Sequence, residues 1–168
     1  LINSISSEVA CQESTINAVV FPSAPAITAI SNTCNTKLAD ISAVTPRTDF
    51  TAEYAVQKPG GSLSSYGTLA AANALLDATI GCWTIKARYK LTAACGGTAA
   101  DATSGTLACQ ENTIYAVVFP PAPTLTAISN TCNTKLADIT AIADLSADGF
   151  TAEYAVQKPG VAISGYVD

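Results

Sequence analysis

The sequence predicts an all-β protein built from tandem antiparallel β-sandwiches, with about 98 residues in each unit. Three observations support this prediction. The segment SNTCNTKLADI occurs at 31–41 and again at 129–139, and its surroundings recur with it. Short runs of alternating apolar and polar residues lie between Pro- and Gly-rich turns, which is the pattern of half-buried strands. Hydrophobic residues form 49% of the chain and charged residues only 12%, which is enough apolar material for a core.

The repeat divides the chain into one whole unit between two partial ones. CQESTINAVVFPSAP begins at Cys11 and returns as CQENTIYAVVFPPAP at Cys109, so residues 1–23 correspond to the end of a unit. Residues 24–119 make one complete unit. Residues 120–168 repeat only its first half. We therefore expect the final strand of a preceding or partner unit, a complete sandwich, and the first half of an incomplete one.

The first half of the complete unit is expected to contain three strands. Residues 26–30 (AITAI) alternate after two prolines, and residues 36–44 alternate again. The strand over 50–57 places aromatic residues such as Phe50 and Tyr54 on its inner face, and Lys-Pro-Gly-Gly ends it.

The second half of the unit begins with an exception to the strand pattern. Residues 68–78 (TLAAANALLDA) are rich in Ala and Leu, which favours a short helix or an irregular crossover. Residues 82–91 alternate most clearly and carry Trp83, and residues 113–119 form the closing strand before two prolines. A single Trp on a central strand favours an immunoglobulin-like sandwich, with VVFPPAP as a stiff joint between units.

Six cysteines at repeated positions predict disulfides and an oxidising, extracellular setting. A zinc site is disfavoured because the chain has no His and no Cys-x-x-Cys pair. The chain begins at Leu1, so we expect it to be processed or to be part of a longer sequence.

The complete unit contains Cys34, Cys82, Cys95 and Cys109, which allow three pairings. Cys82 and Cys95 would lie at the two ends of one extended strand, roughly 40 Å apart, beyond the reach of a disulfide. In immunoglobulin topology the second and sixth strands begin at the same pole of the sandwich. This placement predicts Cys34–Cys82 between the sheets and Cys95–Cys109 across the last loop.

Cys11 and Cys132 then have no partner within the chain, and two explanations remain open. The chain is a window of a long tandem array, or the incomplete unit is completed head-to-tail by residues 11–20 of a neighbouring chain. In the second case the last strand comes from another copy. The candidates for such contacts between units or chains are Cys11, Cys132, Val19, Val20 and Phe21.

Little in the sequence points to catalysis, a cofactor or a metal. Without His, Ser-His-Asp and Cys-His catalysis are excluded. The carboxylates are scattered, which disfavours a glycosidase-type pair. Residues 144–149 (DLSADG) are interpreted as a polar turn, with a calcium loop as the alternative. We expect a protein that is not an enzyme and has no catalytic, cofactor-binding or metal-binding residues.

The charged and aromatic surface residues have two interpretations each. Lys86, Arg88 and Lys90 share one strand face, which is either solvated or receives an anionic glycan or an acidic neighbour. Tyr66 and Tyr115 either stack on sugar rings or pack at joints between units. A net charge of −5 argues against nucleic acid as a partner. No apolar run reaches 18 residues, so no membrane span is expected.

One resemblance follows from the order of motifs FPPAPTLTAISNTCN, a Tyr-bearing strand, and GCWTIKARYKLTAACG. This order resembles immunoglobulin-like repeats in very large secreted surface proteins of Bacteroidota-type bacteria, which are adhesins or extracellular fibres. The resemblance implies a structural or adhesive role. We therefore expect a disulfide-linked segment of a pilus-like extracellular filament or adhesin stalk at the bacterial surface, with further copies of itself as partner. A carbohydrate-binding adhesion module that receives surface glycans is the alternative.

Overall fold

The computed structural model describes residues 20–92 and 111–167, and its regular structure is mostly strand with one short helix. The elements in chain order are β1 (Thr33–Cys34), β2 (Phe50–Gln57), α1 (Leu69–Leu75), β3 (Gly81–Leu91), β4 (Glu111–Phe119) and a 3-10 turn (Ser146–Asp148). The four strands form one mixed sheet in the order β1-β4-β3-β2. β3 pairs antiparallel with both β2 and β4, whereas β1 pairs parallel with β4.

β3 is the central long strand, as its strict alternation predicts. Every second residue from Gly81 to Leu91 is buried, including Trp83 and Ile85, which are fully enclosed. Glycine is required where β3 begins, because Gly81 has φ of 122° and a Cβ there would lie 2.7 Å from the Cβ of Pro59. The predicted strands over 50–57 and 113–119 are also confirmed, the latter beginning slightly earlier at Glu111.

One face of the sheet carries the core. The side chains of Trp83, Ile85 and Val118 are buried there, and an irregular extended segment covers them with Leu38, Ile41 and Val44. Helix α1 adds Ala72 and Leu76 to the same layer. A sheet with one covered face and one exposed face explains the alternation of its strands.

Helix α1 forms where the Ala- and Leu-rich segment predicts it, but it is shorter than 68–78. Thr68 caps its N-terminus by accepting a hydrogen bond from the amide of Ala71 at 3.2 Å. The helix ends at Leu75, and Leu76 is already extended. A helix of two turns is stabilised by its contacts with the sheet rather than by its own propensity.

The predicted strands over 26–30 and 36–44 are wrong, because neither segment joins a ladder in this structure. Side chains satisfy part of the second segment's backbone instead. The Ile41 amide donates to Oδ1 of Asn73 at 2.7 Å, and the Val44 amide donates to the hydroxyl of Tyr54 at 3.0 Å. Among residues 20–92 and 111–167, irregular chain and α1 therefore occupy the place expected for a second sheet.

The second copy of the repeat, in the described range 120–167, contains no strand of the main sheet. An isolated bridge joins Tyr154 to Val167. The equivalent bridge in the first copy joins Tyr54 to Gly67.

Candidate inter-unit interface

The second copy of the repeat holds the same local hydrogen bonds as the first. The Val44 amide donates to the Tyr54 hydroxyl at 3.0 Å, and the Ile142 amide donates to the Tyr154 hydroxyl at 2.9 Å. Further pairs recur with similar lengths: Thr33–Thr36 and Thr131–Thr134, Lys37–Asp40 and Lys135–Asp138, Val56–Ser64 and Val156–Ser164. The same sequence therefore adopts the same local structure in both places.

The turns of the two copies also have matching backbone angles. Asn35 has φ of 50° and Asn133 has φ of 56°, both in the left-handed region that Asn tolerates. Gly60 and Gly160 follow with φ of 68° and 74°. Since these angles recur where β3 and β4 have no described counterparts, the turns do not depend on the rest of the unit.

The two copies differ in how far their apolar side chains are covered. Leu38 is 1% exposed, but its equivalent Leu136 is 53% exposed. Val56 is buried in the core, whereas Val156 is more than half exposed. In the first copy these residues lie in one core cluster with residues of β3 and β4. The second copy thus presents an open apolar face, which we define by Leu136, Ile139 and Val156.

Two aromatic contacts mark the joints on either side of the complete unit. The ring centroids of Phe21 and Phe50 lie 5.6 Å apart with an interplanar angle of 57°. The ring centroids of Phe119 and Phe150 also lie 5.6 Å apart, at 55°. Tilted aromatic pairs at this distance are favourable. The joint before the first copy and the joint before the second copy therefore share one geometry.

A groove of about 820 Å³ lies beside the second joint. Its walls come from Phe119, the proline-rich segment 120–124 and residues 141–153 of the second copy, with Cys34 at one side. The Cys34 thiol donates to the carbonyl of Pro120 at 3.1 Å. The groove is thus part of the contact between consecutive copies, and its walls are mostly apolar.

The predicted basic stripe lies on the outer face of the sheet, where carboxylates compensate it. Lys86 contacts Glu111 at 2.5 Å, Arg88 contacts Glu53 at 2.9 Å, and Lys90 lies 3.6 Å from the same Glu53. Glu53 faces Arg88 directly across the ladder between β2 and β3. Glu53 and Glu111 were not identified from the sequence as partners of this stripe. The period-two alternation of the strand over 50–57 places Glu53 on its outer face, which was a signal for Glu53 alone.

Tyr66 completes this outer cluster. The guanidinium of Arg88 lies 3.8 Å from the centre of the Tyr66 ring, and the Tyr66 hydroxyl donates to Glu111. Burial and this hydrogen bond raise the pKa of Tyr66 well above its ordinary value. Burial opposes ionisation of Glu111, but hydrogen bonds from Lys86 and Tyr66 outweigh it and lower the pKa of Glu111. Tyr115 does not join the cluster and is exposed.

Cys34 and Cys82 lie in the same sheet rather than in two facing sheets. Cys34 is opposite Phe119 and Cys82 is opposite Val117, so β4 separates them. Two strand spacings put them roughly 10 Å apart, beyond the reach of a disulfide without backbone movement. Both are free thiols in this structure, as is Cys132. The Cys34–Cys82 disulfide is therefore not formed here and stays a prediction for the oxidised chain.

Within residues 144–149, Ser146–Asp148 form a 3-10 turn, and Gly149 follows it in the left-handed region. Asp144 accepts a hydrogen bond from the Ser146 amide at 2.8 Å, which lowers the pKa of Asp144. Within the described residues, no group of three or more His, Cys, Asp or Glu side chains is placed to hold a metal ion.

Several predicted residues lie outside the described ranges, namely Cys11, Val19, Cys95 and Cys109, so the Cys95–Cys109 disulfide stays a prediction. Val20 and Phe21 are described, and Val20 is 92% exposed. In the described part of the chain, no helix is long and apolar enough to span a membrane. Comparisons with models of protein families, with curated proteins and with solved structures found no match to this chain.

Proposed function

We propose that the chain is a structural segment of an extracellular bacterial filament or adhesin stalk, in which immunoglobulin-like units follow one another in tandem. The observation that supports this proposal most directly is the repeated joint. Phe21 contacts Phe50, and Phe119 contacts Phe150, at the same distance and nearly the same angle.

A repeated joint gives each unit the same placement relative to the one before it. Identical contacts between consecutive units generate a regular linear array, as in other repeat proteins. The prolines after Phe21 and Phe119 stiffen each connection because proline fixes its own φ and restricts the preceding residue. An array of this kind suits a stalk, which must transmit position and force along its length.

The outer face supports a structural role over a carbohydrate-binding role. Lys86, Arg88 and Lys90 are already paired with carboxylates, and Tyr66 is stacked on Arg88. Tyr115 is exposed, but the equivalent position before the first copy is Asn17, so this aromatic residue is not part of each repeat. A surface that binds glycans through avidity would repeat its aromatic residues in every unit.

The test is to locate the protein on cells that produce it, by immunogold electron microscopy with antibodies against the complete unit. We expect gold particles on filaments outside the cell. Label confined to the cell interior would contradict the proposal.

A second measurement addresses the joint itself. Small-angle X-ray scattering of the Phe119→Ala variant should show a broader distribution of distances within the chain than the wild type, because the aromatic contact no longer fixes the second copy. The Tyr115→Asn variant is the control, since it removes an exposed aromatic ring from the same strand. Equal scattering curves for Phe119→Ala and the wild type would show that this contact does not set the joint.

A further inference from the structure

The segment before the first copy of the repeat carries the sequence of β4. Residues 13–21 (ESTINAVVF) match Glu111–Phe119 (ENTIYAVVF) at seven of nine positions. In β4 the inward residues include Val118, which is fully buried. Its equivalent, Val20, is 92% exposed. The chain therefore presents at Val20 an apolar side chain whose equivalent lies in a core.

The open apolar face of the second copy also carries an exposed residue whose equivalent is buried in the first copy. In the first copy Leu38 and Val118 belong to one buried cluster. In the second copy Leu136 is the equivalent of Leu38, and it is 53% exposed. The exposed Val20 and the exposed Leu136 thus correspond to two residues that are buried together in the complete unit.

We propose that the open apolar face of the second copy binds residues 13–21 of another copy of this chain, in the position that β4 occupies in the first copy. This inference rests on the proposed function and specifies how two chains join. The first copy supplies the register: Thr33 is opposite Val118 and Cys34 is opposite Phe119, in parallel. The equivalent pairs between chains are Thr131 with Val20 and Cys132 with Phe21.

The second copy holds the counterpart of one backbone group that receives β4 in the first copy. In the first copy the Asn35 amide donates to the Phe119 carbonyl at 2.8 Å. Asn133 is the equivalent of Asn35 and has nearly the same φ, 56° against 50°. In the proposed contact, the Asn133 amide donates to the carbonyl of Phe21 of the incoming chain. Main-chain hydrogen bonds of this kind supply affinity in strand addition, and the inward side chains supply specificity.

Binding of residues 13–21 is compatible with the joint that follows them. Phe119 ends β4 and at the same time contacts Phe150 of the next copy. Phe21 already makes the equivalent contact with Phe50 of its own chain. A bound segment therefore places the next chain's complete unit after the second copy just as the second copy follows the first. Because donor and acceptor surfaces are different, the contact is head-to-tail and propagates.

The experiment is light scattering coupled to size-exclusion chromatography across a concentration series, under reducing conditions so that disulfides do not join chains. Val20→Asp disables the donated segment, and Leu136→Asp disables the face that accepts it. Tyr115→Asn is the control: it changes an exposed residue on the outer face of the sheet to Asn, which is the residue at the equivalent position 17. We expect the wild type and the control to form species of increasing mass. Each of the first two variants should associate about tenfold to a hundredfold more weakly.

Mixing the two disabled variants gives the decisive result. Val20→Asp retains an intact acceptor and Leu136→Asp retains an intact donor, so together they should form a heterodimer that grows no further. A synthetic peptide of residues 11–23 with Cys11→Ser should bind the full chain, and the same peptide with Val20→Asp should not. A peptide that fails to bind, or a mixture that stays monomeric, would overturn the proposal.

The outcomes separate this inference from the proposed function. If the chain stays monomeric while the cell-surface labelling succeeds, the filament is a tandem array completed within one chain, and only the contact between chains is refuted. If the labelled protein lies inside the cell while the heterodimer forms, the contact between chains is supported and the extracellular role is refuted.

Discussion

The equivalent residues Leu38 and Leu136 allow the same substitution to be made in two environments of one chain. Both occupy the Leu of the repeated segment SNTCNTKLADI. Leu38 is 1% exposed and packs in the core cluster with Trp83, whereas Leu136 is 53% exposed. The Leu38→Ala and Leu136→Ala variants therefore differ in burial but not in local sequence.

The structure predicts very different free-energy costs for the two changes. Leu38→Ala removes buried methyl groups and leaves a cavity, which lowers the free energy of unfolding by about 2–5 kcal/mol. Leu136→Ala acts at a half-exposed position, so its effect is expected within about 0.5 kcal/mol. A ratio of at least about fourfold between the two is thus the quantity to measure.

The assay is urea unfolding followed by tryptophan fluorescence. Trp83 is the only Trp in the chain and is fully buried in the complete unit, so it reports on the core that contains Leu38. Both variants are made in the Val20→Asp background, which removes the proposed contact between chains. The midpoint of Leu38→Ala should fall by about 1–3 M urea, and that of Leu136→Ala should barely move.

Equal losses for the two variants would refute the reasoning. That result would mean that Leu136 is as enclosed as Leu38 in an isolated chain, and that the second copy is completed from within it. Loss of stability in Leu136→Ala alone would contradict the burial of Leu38.

Three further predictions concern stability. Gly81→Ala should cost at least about 2 kcal/mol, because the new Cβ lies 2.7 Å from the Cβ of Pro59 at a positive φ. Glu53→Gln should lower the free energy of unfolding by about 1–2 kcal/mol, and by less at high salt, because it removes the carboxylate that pairs with both Arg88 and Lys90. Hydrogen bonds from Lys58 and then Thr79 lower the pKa of Asp77 to about 2, so the stabilisation this carboxylate supplies is present above pH 4 and disappears towards pH 2.

The first two of these predictions have matched controls, and all three are measured by the same urea unfolding assay. Gly60→Ala also places Ala at a positive φ, but its new Cβ has no atom within 4 Å, so we expect a loss of about 1 kcal/mol in the free energy of unfolding. If Gly60→Ala lost as much stability as Gly81→Ala, or more, the clash at Gly81 would be contradicted. Asp40→Asn breaks an exposed ion pair and should change stability by less than about 0.5 kcal/mol. The advantage of the wild type over Asp77→Asn should shrink between pH 4 and pH 2, and a constant difference would contradict the depressed pKa.

The sequence predicts the three long strands of the sheet correctly. β2 matches the predicted 50–57, and β3 differs only by including Gly81. The alternating runs at 26–30 and 36–44 did not become strands. In the second run, the Ile41 and Val44 amides bond to the side chains of Asn73 and Tyr54 instead of a neighbouring strand. Periodicity cannot reveal such side-chain partners, which lie far away in the sequence.

The interface residues and the cysteine pairs were also only partly predictable from the sequence. The repeat itself located Val20 and Phe21 as candidates, since they align with the end of β4. The cysteine pairing depended on assigning Cys34 and Cys82 to opposite sheets, and the order β1-β4-β3 places them in one sheet. Strand order is a long-range property, so a local pattern could not supply it.

The shared hydrogen bonds of the two copies have a consequence for how such a protein is made. The second copy keeps the Tyr154 contact with the Ile142 amide and the bridge to Val167 although its Leu136 and Val156 remain exposed. During synthesis, the first half of each unit leaves the ribosome before the strands that cover it. A nascent first half that already holds these bonds has its turns set when the later strands emerge, so translation and folding can proceed unit by unit in the same direction.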